Sequence, residues 1–251
     1  MTADETLSWP KLFLGFHQVP HNGERLKMDF SIHAHRDADL IFTGRESLRA
    51  EWYEVCEAIK AISDQDIIDE FQSNAREAKS ISQAINRLMK KELVSRGWHP
   101  ESYIFADEEY AQQAKGVWRL DFAKQHLCIE VAFNHRSDIS WNLLKPTLAS
   151  ELNHVLKAMQ AEGGIIIAAT EDLKQAGGFD SAVGTFEDYV QYLKPLSQIL
   201  TAPLMIVGLE APKSFRIDHE KRNNKQVGHV HFIDECYALD YNGSDSEGDI
   251  H

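Results

Sequence analysis

Two acidic residues stand nine positions apart in a segment with the period of β-strands. Asp121 lies in Arg119-Leu-Asp-Phe-Ala123, and Glu130 lies in Leu127-Cys-Ile-Glu-Val-Ala-Phe133. Lys124 to His126 read as a turn, so the two runs are expected to pair antiparallel. In the second run Leu127, Ile129, Val131 and Phe133 share one face, while Cys128, Glu130 and Ala132 share the other. Such a hairpin brings Asp121 and Glu130 close together. Two carboxylates forced together repel, and burial makes ionisation of either one costly. A divalent cation relieves both problems. Mg²⁺ takes one or two carboxylates and fills its other positions with water and phosphate oxygens. The chemistry open to such a pair is activation of water for attack on phosphorus.

Other elements must hold this hairpin in place. Apolar residues at Leu48, Trp52, Val55, Cys56, Ala58 and Ile59 predict a helix over Glu46 to Ile62. Asp64 to Phe71 reads as a short acidic helix. Ser80 to Gly97 carries Ile81, Ala84, Ile85, Leu88, Met89 and Leu93 at helical spacing; Ser80 is expected to cap it and Gly97 to close it. After the hairpin comes a helix of about Leu143 to Glu162, ended by Gly163-Gly164. A buried strand follows at Ile165 to Ala169, then a helix at Phe186 to Leu200 and a buried strand at Pro203 to Gly208. Asp29 to His33 reads as a further strand, with a turn before it at His21-Asn22-Gly23. The expected class is α/β, a mixed central β-sheet flanked by helices. No internal repeat or long linker interrupts the chain. A single domain is expected over residues 1–237, followed by an acidic, disordered tail over 238–251.

Composition narrows the class of function. The chain has 251 residues, 43% of them hydrophobic and 26% charged, which suits one sizeable core. No apolar run is long enough for a membrane helix. Met1 to Pro10 carries Asp4 and Glu5 and has no basic or apolar leader region, so no signal peptide is expected. Cys56, Cys128 and Cys236 form no CxxC pair, which fits a reducing cytoplasm. The net charge of −13 argues against a nonspecific polyanion binder. Four of those charges, Asp240, Asp245, Glu247 and Asp249, lie in the tail, leaving the body nearer −9. Two stretches, Lys79 to Arg96 and Lys213 to His231, are locally basic and keep DNA binding open.

The segment from Asp121 to Ala132 resembles the core of the PD-(D/E)xK nucleases, and among them the BglII/BstYI-like type II restriction endonucleases. The same short acidic spacing and an Ile-Glu-Val strand carry the likeness. Ser80-Ile-Ser-Gln-Ala-Ile-Asn86 through Gly97-Trp98 resembles the family's preceding helix, and Pro203-Leu-Met-Ile-Val-Gly-Leu209 its later strand. The likeness covers about residues 75–210 and implies a restriction-endonuclease-like core there. It implies Asp121 and Glu130 as catalytic acids that bind Mg²⁺, with the main-chain carbonyl of Val131 as a third ligand. It also places Asn86 near the active site. Ala132 departs from the pattern. Members carry Lys, Gln or Glu there to position or help deprotonate the attacking water, and alanine can do neither. Asn134, His135, Asn86 and Lys124 are the candidates to fill that gap, with Asn134 slightly ahead.

Two segments are candidate DNA contacts. Asn134-His135-Arg136-Ser137-Asp138 follows the catalytic strand and carries side chains suited to base edges or phosphates. Arg222-Asn223-Asn224-Lys225 combines an Arg that can pair with guanine and Asn that can pair with adenine; it could equally be a solvated turn between strands. The HxH pairs His33/His35 and His229/His231 lack a third ligand at a zinc spacing, so strand alternation explains them. Gly163-Gly164 and Gly177-Gly178 lack the remainder of any phosphate-binding loop.

The expectation is therefore a cytoplasmic, Mg²⁺-dependent type II restriction endonuclease acting as a homodimer on double-stranded DNA. No membrane partner is expected. A cognate DNA methyltransferase is implied functionally rather than as a bound partner. Two alternatives stay open: a repair or modified-DNA nuclease of the same fold, and a noncatalytic DNA-binding protein, which Ala132 would favour.

Overall fold

Strand and helix signals alternate along the chain, and a computed structural model describes residues 25–73, 78–111, 117–151, 157–222 and 225–233. Strand β1 (Phe30–His35) is followed by helices α1 (Ala38–Gly44), α2 (Glu46–Ala61) and α3 (Asp64–Gln72). Helix α4 (Ser82–Ser95) leads into β2 (His99–Tyr103) and a short α5 (Glu108–Ala111). Strands β3 (Arg119–Ala123) and β4 (Leu127–Val131) come next, then a 3₁₀ turn at Arg136–Asp138 and α6 (Ile139–Ser150). β5 (Gly163–Ala169), α7 (Glu171–Ala176), α8 (Phe186–Leu196) and β6 (Leu204–Leu209) follow in turn. The last elements, β7 (Phe215–Arg222) and β8 (Lys225–Phe232), pair as a separate two-stranded ribbon.

The other six strands form one sheet in the order β1-β6-β5-β4-β3-β2. β4, β5 and β6 run parallel to their neighbours in that group, and the outer pairings are antiparallel. This is the mixed, helix-flanked sheet that the residue pattern predicts. Every residue of β5 and β6 is buried, which explains their unbroken apolar runs. Alternation still sorts their side chains. Ile165, Ile167, Met205 and Val207 join Leu127 and Ile129 against α2 and α4, through Leu48, Trp52, Ile59, Ile85 and Met89. Ile166, Ala168, Leu204 and Ile206 join Ala132 against Ile139 and Leu143 of α6 and Tyr189 and Leu193 of α8.

Three local expectations need correction. Ser80 does not cap α4: the flanking residue is Ile81, and the Ser80 hydroxyl pairs with that of Ser82 at 2.9 Å. The helix after the hairpin begins at Ile139 and ends at Ser150, not at Glu162. Glu151 is extended, and Ala161 returns to donate its amide to Ala149 O at 3.1 Å. The helix at Phe186 ends at Leu196, with Pro195 in its last turn. The turn at His21-Asn22-Gly23, the tail over 238–251 and Cys236 lie outside the described residues. Cys56 and Cys128 are buried free thiols. Among the described residues no helix is long and apolar enough to cross a membrane.

One contact seats α6 on the sheet. Pro146 lies inside the helix and rests on Gly164 of β5. A Cβ at Gly164 would stand 2.3 Å from Pro146 Cβ and 3.1 Å from Leu204 Cδ2. The Gly164→Ala variant is therefore expected to lose about 1–3 kcal/mol in urea denaturation, because a ring and a packed leucine must move. Gly44→Ala is the control: a Cβ there meets nothing within 4 Å, and its stability should be unchanged or slightly raised.

Candidate active site

The hairpin of β3 and β4 is closed at one end and open at the other. Its ladder pairs Phe122 with Ile129 and Ala123 with Cys128. Beyond those rungs a side chain replaces the backbone: Asp121 Oδ2 accepts the Val131 N–H at 2.7 Å. The turn end is pinned by α2. Glu51 is buried and accepts the amides of His126, at 3.1 Å, and Leu127, at 2.8 Å. Glu54 receives Lys124 Nζ at 2.8 and 2.6 Å and Trp98 Nε1 at 3.0 Å. Lys124 also donates to Arg96 O at 2.8 Å. Its ammonium is thus spent on the turn, and it does not fill the gap left by Ala132.

Glu130 is only 3% exposed and lies on the α6 side of β4. Lys145 of α6 donates to its Oε2, and the same ammonium reaches Arg119 O at 3.3 Å. Glu130 Oε1 is buried without a hydrogen-bond partner. Burial, followed by the charge of Asp121, pushes the Glu130 carboxyl up to about 8. Burial also raises Asp121, against the opposing pull of the Val131 N–H and Lys145. Burial, ahead of any nearby charge, is what makes ionisation costly at this centre. Two hard oxygen donors, one of them with an orphaned buried oxygen, fit a small divalent cation such as Mg²⁺. Among the described residues no group of three or more His, Cys, Asp or Glu that could hold a metal ion gathers here or elsewhere, so the site is one of two acids. The protein would offer Asp121 and Glu130, with the Val131 carbonyl beside them, and leave the remaining positions to water and phosphate.

A cleft of about 190 Å³ opens onto Asp121 and is lined by Asn86, Lys90, Pro100, Glu101, Phe122 and Val131. The structure thus brings Asn86 into the same cleft as Asp121. Lys90, one helical turn further along α4, was missed by sequence reasoning although the spacing from Asn86 carries the signal. Glu101 was missed as well. It falls between the paired residues of β2 and stands across from Asp121, in a left-handed conformation with φ 56°. Its carboxylate is paired with Arg119 at 3.0 Å. Nothing local marks Lys145, whose place depends on the docking of a helix.

Glu130 and Lys145, on the α6 side of the sheet, do not line the cleft, nor do Asn134 and His135. Asn134 Oδ1 accepts from Asn142 Nδ2 at 3.0 Å, and Asn142 also reaches the Tyr189 hydroxyl at 2.7 Å. His135 pairs with Ser137 Oγ at 2.9 Å and caps the 3₁₀ turn. Arg136 bonds Asp188 at 3.0 Å, and Ser137 donates to Asp138 at 3.3 Å. Asn134 to Ser137 are exposed, so the segment is a pre-folded surface beside the open end of β4. Arg222 pairs with Glu220 and stands opposite Lys225 at the tip of the ribbon. Asn223 and Asn224 lie outside the described residues. Of the HxH residues, His35 bonds Leu200 O, while His229 and His231 lie 3.1 and 3.2 Å from the carboxylates of Glu220 and Asp218.

The family model described as restriction endonuclease BglII/BglIII matches residues 30–209. The match begins well before residue 75, where the likeness first becomes legible in the motifs. Among solved structures, the restriction endonuclease BglII complexed with a DNA 16-mer matches with a TM-score of 0.55 and 16% identity, over 82% of this chain and 100% of that one. Free BglII matches with a TM-score of 0.46 and 18% identity over the same shares. No curated protein sequence matches.

The raised Glu130 carboxyl has a signed consequence for the metal-free protein. The folded state keeps a proton up to about pH 8 that the unfolded chain sheds near its ordinary value of 4.5. The contribution to stability is full below that lower value and is lost as pH rises towards 8. In chelator, the urea midpoint of the wild type should fall relative to Glu130→Gln between these limits. A difference that stays constant with pH would contradict it.

Proposed function

The chain belongs to the BglII/BglIII restriction endonuclease family, and we propose that it cuts both strands of duplex DNA at a specific sequence with Mg²⁺. Family membership makes it a type II site-specific deoxyribonuclease. The observation that carries the proposed mechanism is the acid pair at the open end of the hairpin, Asp121 fixed by the Val131 N–H and Glu130 with a buried oxygen unspent.

In this reading Asp121, Glu130 and the Val131 carbonyl hold the metal ion. Mg²⁺ would lower the pKa of a water and offset charge on the phosphate. The chain's own residues bind and orient. Asn86 and Lys90 offer an amide and an ammonium to a phosphodiester in the cleft, next to Asp121. The single Val131 N–H bond fixes the rotamer of Asp121 before substrate arrives, so its geometry need not be found during the reaction. Asn134 to Asp138 and the tip of the ribbon at Arg222 to Lys225 are the proposed DNA contacts. The BglII structure solved with DNA supports duplex DNA as the partner. Two cuts in a two-fold symmetric site need two active sites, so the working form proposed is a homodimer.

The deciding experiment is incubation of the purified chain with unmethylated phage DNA, with Mg²⁺ or chelator, beside Asp121→Ala and Glu130→Ala. Discrete fragments are expected only with Mg²⁺, and either substitution should slow cleavage by about 10³-fold or more. Intact unmethylated DNA together with cut methylated DNA would identify a modified-DNA nuclease. Lys90→Ala should weaken binding to all sequences alike and reduce the slope of log K against log salt by about 0.9, the loss of one phosphate contact.

A further inference from the structure

We infer that Lys145 supplies, from α6, the cation that strand β4 lacks at Ala132. The inference rests on the reading of Asp121 and Glu130 given above. Residues 130 and 132 share one face of the strand, so a lysine at 132 would stand beside Glu130. That place is closed here. Ala132 is 1% exposed and packs in one cluster with Ile139 and Leu143 of α6. The helix comes so near because Pro146 rests on Gly164 of β5, which neighbours Cys128 of β4. The residue before that proline is Lys145. The approach that excludes a long side chain from position 132 thus delivers one from the helix.

The ammonium meets Glu130 directly. Lys145 Nζ donates to Glu130 Oε2 and to Arg119 O at 3.3 Å. An ammonium has three N–H groups, and two of them are spent on these contacts. The Lys145 side chain is 12% exposed and that of Glu130 4%, so solvent screens their attraction far less than at the surface. Three of the four other candidates are committed elsewhere, Lys124 to Glu54, Asn134 to Asn142 and His135 to Ser137, and the fourth, Asn86, lines the cleft but carries no charge. Lys90 lines the cleft from α4 but has no ion pair with either acid among the described residues. Lys145 is therefore a positioning residue. It holds Oε2 of Glu130, which leaves the unpartnered Oε1 as the oxygen to face a metal ion.

The test compares wild type, Lys145→Met, Lys145→Arg and Asp121→Ala on a duplex spanning a site that wild type cuts. Three readouts are taken: melting temperature in chelator, DNA affinity in Ca²⁺ without cleavage, and single-turnover rate in Mg²⁺. For Lys145→Met the melting temperature should fall, because Glu130 loses its buried partner, while the Ca²⁺-supported affinity should stay near that of wild type. Its single-turnover rate should fall by about 10²–10³-fold. Lys145→Arg keeps a cation and should recover at least about tenfold of that loss if charge at Glu130 is what matters. Lys145→Met cutting within about threefold of wild type, while Asp121→Ala is dead, overturns this inference alone. Equal losses of melting temperature, affinity and rate in both Lys145 variants also overturn it, because they describe a structural ion pair. Cleavage that survives Asp121→Ala overturns the underlying reading of the acid pair instead.

Discussion

Burying Glu130 beside a second carboxylate costs several kcal/mol, and the surrounding architecture is organised by that cost. Two groups answer it. The Val131 N–H leaves the ladder to bind Asp121, so an unpaired strand amide is satisfied and one carboxylate is fixed at the same time. Lys145 brings a positive charge to Glu130. The answer is incomplete: Glu130 Oε1 has no hydrogen-bond partner among the described residues. A core that existed only for stability would gain by exchanging this pair for apolar residues of similar volume. The unsatisfied oxygen and the upward push of burial on both carboxyls are what the proposed metal site rests on.

The geometry of that centre comes from opposed ends of one hairpin. At the turn, Glu51 and Glu54 of α2 collect two strand amides, the Lys124 ammonium and the Trp98 indole. Because Glu51 is buried, removing it would strand two amides at about 1–3 kcal/mol each, so the turn is held firmly. At the other end the strands share no rung beyond Phe122 and Ile129, which opens room for a cleft between α4 and the sheet. Each half of the fold thus has its own task. The face packed on α2 and α4 fixes the hairpin and lends Asn86 and Lys90. The face packed on α6 and α8 lends Lys145 and buries Glu130.

What was legible in the sequence follows from the range of the forces involved. The hairpin, its faces and the pairing of Asp121 with the Glu130 region rest on period-two alternation and a short turn, both local. The apolar runs of β5 and β6 announced themselves for the same reason. The family likeness placed Asn86 to within a turn, and the helix geometry then sets it in the cleft. Lys145 could not be read, because its position depends on Pro146 meeting Gly164, a contact between residues distant in sequence. The overlong helix through Glu162 failed because helical composition persists after Ser150, whereas tertiary contacts turn the chain back at Ala161. Lys124 looked available because its sequence neighbours are polar; its real partner, Glu54, comes from another helix.

Charge shows the same limit and bears on how the protein meets DNA. The stretch from Lys79 to Arg96 is basic in sequence but much less so in space. Lys79 pairs with Asp180, Arg87 with Glu70 and Arg96 with Glu92. On the ribbon, Arg216 and Arg222 pair with Asp218 and Glu220. Much of the positive charge that could grip phosphates at long range is therefore answered within the protein, on a chain of net charge −13. Nonspecific affinity is largely a matter of uncompensated Lys and Arg on phosphates. With little of that, residence on DNA must come from short-range contacts that form only where base edges fit. A guanidinium already held by a carboxylate can meet a phosphate only by giving that bond up. The internal ion pairs and the acidic excess of the chain thus act in one direction, both lowering long-range affinity for a polyanion.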